Sequence, residues 1–219
     1  MKCEIHIHTN ASPECRITAA EVLEIAKRNG TKCLAVCDHN EISGSEKLKK
    51  LAGPERIKVI VGEEIASSDG EIIGLFLKDK INQGMSAEET VREIKKQGGL
   101  VYLPHPTDRS RRKRIKAEAI KKIIKEIDIV EIYNGRTIFS AFNSSAERLA
   151  KRTGKVGCCG SDAHTKWELG KTYCEMEDFA STDGFLAAVR NARFVCRKSN
   201  PLVHFVTGFY KLENLFRKK

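Results

Sequence analysis

Cys3-Glu4-Ile5-His6-Ile7-His8-Thr9 is the stretch whose reading decides the fold. It has the alternation of a β-strand, and a period of two sends His6 and His8 to the same face. Two imidazoles at a strand end suit a divalent transition ion. The arrangement recurs downstream. Asp38-His39 follows Cys33-Leu34-Ala35-Val36-Cys37, and Glu63-Glu64 follows Ile57-Lys58-Val59-Ile60-Val61-Gly62. His105 follows Leu100-Val101-Tyr102-Leu103-Pro104, while Asp162 and His164 follow Val156-Gly157-Cys158-Cys159-Gly160-Ser161. Of the 6 histidines, only His204 lies outside this pattern. Such a set suits zinc, manganese or iron, and one cluster can hold two or three ions.

Helix signals separate the strands. Thr18 opens a helix that runs through Asn29 and stops at Gly30. Ser86-Ala87-Glu88-Glu89 has the form of a capping box, and that helix ends near Gly98-Gly99. Further helices are expected over 117–125, 140–152 and 183–191, with strands over 72–77 and 127–132. The segment from Phe205 to Lys219 has an apolar stripe and a basic face, and is expected to dock as a last helix. Strands alternating with helices, without a linker, predict one α/β domain over 1–219, with parallel pairing and the helices outside.

Composition narrows the function. No apolar run is long enough to span a bilayer. The first residues form a polar strand rather than a leader, which predicts a cytoplasmic protein. The 8 cysteines then read as reduced thiols; Cys33, Cys37, Cys158 and Cys159 act as small hydrophobes in buried strands, and no Cys-x-x-Cys pair marks a zinc ribbon. Neither a Gly-x-Ser-x-Gly elbow nor a Gly-x-x-x-x-Gly-Lys loop occurs. Lys plus Arg outnumber Asp plus Glu by 39 to 29. The densest run, Arg109-Ser110-Arg111-Arg112-Lys113-Arg114-Ile115-Lys116, directly follows the His105 region. It either hangs over the metal mouth, with Arg109, Arg111 and Arg112 gripping phosphate, or is a solvated loop. Arg136 and Arg16 are further phosphate-binding candidates. No basic-aromatic interleaving marks a stacking platform for single strands.

Taken in order, His-x-His-Thr, Asp-His-Asn, Gly-x-Glu-Ile, Pro-His-Pro and Gly-Ser-Asp-Ala-His resemble the motifs of the PHP (polymerase and histidinol phosphatase) metallophosphoesterases, over His6 to Gly170. The resemblance implies a distorted (β/α)7 barrel with metals at the carboxyl ends of its strands. It selects Glu64 rather than Glu63 as a bridging carboxylate, with Glu63 facing outward or supporting the site from behind. His6, His8 and Asp162 would form a first metal site, His105 part of a second, and His39 and His164 part of a third. Asp38 reads as an orienting partner. Where relatives carry an early acidic or histidine ligand, this chain offers Glu14, or else Cys15; where they carry a histidine before the Ile-Leu-Gly strand, it has Glu71. Glu131 matches a common family glutamate, as a ligand or behind one.

The implied chemistry is attack by a metal-activated hydroxide on a phosphate ester, with Asp162, His164, His39 and Arg136 in the catalytic set. The nearest branch holds nucleoside-bisphosphate phosphatases and 5′-3′ exonucleases. The substrate would be a phosphorylated small molecule or an oligonucleotide 5′ end, with no membrane or obligate protein partner. A non-catalytic metal-binding subunit is the third reading.

Overall fold

A computed structural model describes residues 1–217. Its strands are β1 (Lys2–Ile7), β2 (Cys33–His39), β3 (Lys58–Ser67), β4 (Gly70–Leu75), β5 (Leu100–Leu103), β6 (Ile129–Asn134), β7 (Val156–Gly160), β8 (Tyr173–Glu175) and β9 (Arg193–Val195). They form one sheet in the order β7-β6-β5-β4-β3-β2-β1-β8-β9. The residues after β7 return to β1: Ser161 N–H donates to Ile5 O at 2.9 Å, and His8 N–H to Ala163 O at 3.0 Å. The barrel is thereby nearly closed.

The helices are α1 (Ala19–Arg28), α2 (Ser43–Ala52), α3 (Ala87–Lys96), α4 (Ala117–Ile123), α5 (Ser140–Thr153), α6 (Thr182–Arg190) and α7 (Leu202–Arg217). Both capping boxes form: Thr18 and Glu21 close the start of α1, and Ser86 and Glu89 that of α3. Along β2 the alternation is clean. Cys33, Ala35 and Cys37 face the interior, while Leu34 and Val36 pack beneath α1 and α2. Small side chains suit the narrow lumen, which is also filled by Cys3, Cys158, Cys174 and the fully buried Tyr102. Seven of the cysteines are buried and Cys196 is exposed; none forms a disulfide.

Three features depart from the simple alternation. No helix separates β3 from β4; they form an antiparallel hairpin, and β4 also pairs antiparallel with β5. Helix α2 follows Ile42, which offers no side-chain cap, so its start carries no sequence signal. The segment beyond 182 holds β9 between two helices. Residues 218–219 of the expected last helix lie outside the described residues. Among the described residues, no helix is long and apolar enough to cross a membrane.

Candidate metal centre

The strand ends converge, and their backbone is bent to do so. His6 (φ 61°), His105 (φ 30°) and Asp162 (φ 55°) all lie in the left-handed region that side chains with a Cβ rarely adopt. Such strain persists only where the surroundings hold it, and it gathers at functional sites. His6 sits at a bulge between Ile5 and Ile7. The two rings of the His-x-His pair thus meet, with centroids 5.2 Å apart, through a bulge rather than through simple strand alternation.

Glu64 stands in the middle. Its Oε1 lies 3.0 Å from His105 Nε2, and its Oε2 lies 3.4, 3.5 and 3.3 Å from His6 Nε2, His8 Nε2 and His39 Nδ1. Asp162 Oδ1 is 3.6 Å from His6 Nε2 and 3.4 Å from His8 Nε2. Four sets of ligand atoms lie within 4.8 Å of one another: His6/His8/Asp162, His6/Glu64/His105, His8/His39/His164 and His39/Glu64/Glu71. A carboxylate shared between sets is what a bridging ligand requires.

A second layer aims these groups. His6 Nδ1–H donates to Glu131 Oε1 at 2.8 Å, which turns Nε2 toward Glu64 and Asp162. His8 Nδ1–H donates to Ser12 Oγ at 3.2 Å, and that hydroxyl donates to Asp38 Oδ1 at 2.6 Å. Asp38 also accepts from Thr9 N–H at 2.7 Å, so it orients His8 through Ser12 rather than ligating. His164 Nδ1–H donates to the Asp162 carbonyl at 2.8 Å.

Charge within the cluster is strongly perturbed. Burial opposes ionisation of Asp162, but Arg111 and His6 hold it well below the usual carboxylate range. Glu64 is likewise held low against burial, by His39 and His6. Burial works against protonation of His6, yet Glu131, Asp162 and Glu64 raise its pKa well above the usual value. Burial, His8 and Arg136 depress His164. Glu71 is pushed up to about 7 by burial and by Glu64.

The donor set fits divalent ions. His8 Nε2 is buried, has no hydrogen-bond partner and points at two carboxylates. Burying such an atom unpaired is costly unless a cation takes its lone pair. Imidazole and carboxylate donors in closed sets of three suit zinc, manganese or iron.

Several expected residues lie elsewhere or act differently. Glu131 spends both oxygens on His6, Tyr102, the His105 amide and Asn134, and belongs to none of the four ligand sets. Glu63 is buried on the opposite face, where it accepts from the Ile81 amide. Cys15 is buried and directs its Sγ at the His8 carbonyl, away from the cluster. Glu14 sits at the rim, 3.3 Å from His39 Nε2. Arg16 pairs with Glu213 of α7 at 2.8 Å and does not line the mouth. Arg109 and Arg114 turn to the far side of their loop, against Thr107 and Phe142.

Arg111, Arg112 and Lys113 do border the mouth, together with Arg136 and the α7 residues Thr207 and Lys211, around a cavity of about 550 Å³. Arg111 donates to Asp162 Oδ2 at 2.5 Å and to Asn134 Oδ1 at 3.2 Å. Arg136 lies 3.3 Å from Glu168 Oε1 and donates to Thr207 Oγ1 at 2.8 Å. Sequence reasoning misses Ser12, Asn134, Glu168 and the α7 wall. Only Asn134 leaves a trace, as the neighbour of Arg136 in Asn-Gly-Arg.

Residues 4–103 match the PHP domain model, and residues 141–194 match a PHP-associated model. Two uncharacterized proteins of Methanocaldococcus jannaschii are similar to this chain. MJ1587 is 41% identical over 48% of this chain and 68% of its own length; MJ0417 is 34% identical over 81% and 71%. The fold resembles that of a candidate metal-dependent phosphoesterase from Bifidobacterium adolescentis, with TM-score 0.62 and 15% identity over 74% of this chain and 87% of that one. It also resembles an amidohydrolase from Chromobacterium violaceum, with TM-score 0.63 and 16% identity over 95% and 96%.

Proposed function

The chain belongs to the PHP domain family and is built as a metal-dependent hydrolase, and we propose that it removes phosphate from small phosphorylated molecules, nucleotides foremost. The observation that carries this reading is a cationic rim set directly over the ligand cluster. Arg111, Arg112, Lys113, Arg136 and Lys211 surround a cavity whose floor includes His39, Glu71 and His164. A volume of about 550 Å³ is suited to a nucleotide-sized ligand.

His6, His8 and Asp162 would hold one ion, and Glu64 would share it with a second held by His105. His39, His164 and Glu71 offer a third position. Divalent ions held there supply Lewis acidity toward a phosphoryl oxygen and toward water. The remaining work falls to the chain. Arg112 and Lys113 draw the phosphate in, and Arg136 offsets charge on its oxygens. Arg111, locked between Asp162 and Asn134, fixes the rim against the cluster. His164 is held neutral, and its Nδ1–H is engaged by the Asp162 carbonyl. That leaves the Nε2 lone pair to bind an ion.

Wall residues from α7 close one side of the cavity, which favours a compact substrate over a long strand. A panel of nucleoside 3′,5′-bisphosphates, histidinol phosphate and 5′-phosphorylated oligonucleotides tests this. Turnover confined to the small esters is expected. Turnover confined to oligonucleotides would replace the proposal with the exonuclease reading.

A further inference from the structure

Helix α7 packs one face against the domain and exposes an apolar stripe on the opposite one. Val203 and Thr207 are buried, Thr207 beside the mouth, and on the same face Tyr210 lies under Arg16 and Asn214 bonds the Pro13 carbonyl. On the other face Leu202, Phe205, Phe209, Leu212 and Phe216 stand 63%, 77%, 64%, 52% and 70% exposed. Their spacing of 3, 4, 3 and 4 residues draws one straight seam along the helix, as in helices that pair. An exposed apolar stripe of this length is normally covered.

We propose that a second copy of this chain covers this seam, through an isologous pairing of α7 with α7. The repeat is one that another helix fills. Outside α7, the large apolar side chains exposed among the described residues are Leu51, Ile138, Phe139 and Trp167, which form no comparable seam. The one described surface that matches α7 in shape and polarity is therefore α7 itself, as a two-fold pair requires. Size agrees. At those exposures the five side chains offer on the order of 600 Å² per copy, close to the roughly 800 Å² per partner of a standard interface. The same patch is at the upper limit for a lone monomer. Pairing also braces the helix whose inner residues wall the cavity.

Sedimentation equilibrium on the whole chain at micromolar concentrations tests the proposal. A species of twice the chain mass is expected. Phe209→Glu with Leu212→Glu places charge in the seam at exposed positions, and should weaken pairing at least about 100-fold while leaving the circular-dichroism spectrum of the folded chain unchanged. If that variant loses its fold, Phe205→Ala, which only truncates an exposed side chain, should weaken pairing roughly tenfold. A wild-type chain that stays monomeric up to roughly 100 μM would overturn the proposal. So would a double variant that pairs as tightly as wild type, or a monomer that binds phosphatidylserine vesicles through α7.

Discussion

Replacing Glu131 by Gln tests the aiming of the cluster without changing its shape. Glu131 Oε1 accepts from His6 Nδ1–H at 2.8 Å and Tyr102 O–H at 2.9 Å. Its Oε2 accepts from the His105 amide at 2.6 Å and from Asn134 Nδ2 at 2.9 Å. An amide offers one accepting oxygen and one donating NH2, so two of these four donors must face another donor. If the NH2 faces His6, the imidazole can answer by moving its proton to Nε2, the nitrogen that faces Glu64 and Asp162. If it faces the His105 amide, a buried N–H is left unpaired. Each unpaired buried group costs about 1–3 kcal/mol, so the metal-free variant should lose roughly 2–4 kcal/mol and melt roughly 5–15 °C lower. Loss of an outer-shell partner of this kind should weaken metal binding roughly 10- to 100-fold. Competition against a fluorescent chelator and differential scanning calorimetry read the two effects. A variant that binds metal within twofold of wild type and melts with it would refute the reasoning.

Three further outcomes are expected. Burial pushes Glu63 up to about 7, above the ordinary carboxylate range, so the folded state holds a proton that the unfolded chain has lost; stability should fall as pH rises toward 7. Glu63→Gln should flatten the melting temperature between pH 5 and 8, and parallel profiles for the two proteins would count against it. Glu71, also near 7, sets a proton against a cation, so metal affinity should climb up to about pH 7 and level off above; in calorimetric titrations Glu71→Gln should lose part of that slope, and an unchanged slope would remove Glu71 from the ligand set. Arg112→Ala with Lys113→Ala should lower kcat/KM roughly 10- to 100-fold, chiefly through KM. Arg114→Ala, on the far side of the loop, should not, and equal effects would show that the run acts only through net charge.

Most of the clustered residues were legible because they follow a short run of β-branched or apolar residues, which marks a strand whatever the rest of the fold does; Glu64 lies inside β3 and Glu71 opens β4. The capping boxes at Thr18 and Ser86 were legible for a similar reason, since both partners lie within one turn. What escaped depends on contacts distant in the chain. Ser12 matters because Asp38 and His8 converge on its hydroxyl, and Asn134 because it meets Glu131, Asp162 and Arg111. The bulge at His6 was hidden because alternation in sequence does not record which backbone conformation delivers the side chain. The basic run could be placed near the mouth but not divided: Arg111 and Arg112 face the cavity while Arg109 and Arg114 turn away, a split set by the loop's own turns. The β3–β4 hairpin is closed by Ser68-Asp69, a turn signal that the regular alternation of the neighbouring segments outweighs.

The central claim is that hydrolysis depends on ions held around Glu64. Metal-stripped protein should release no phosphate from a nucleoside 3′,5′-bisphosphate. Manganese, zinc or iron should restore turnover in wild type, but not in His8→Ala with its fold intact by circular dichroism. Full turnover by the stripped protein, or restoration in His8→Ala equal to wild type, would contradict the account.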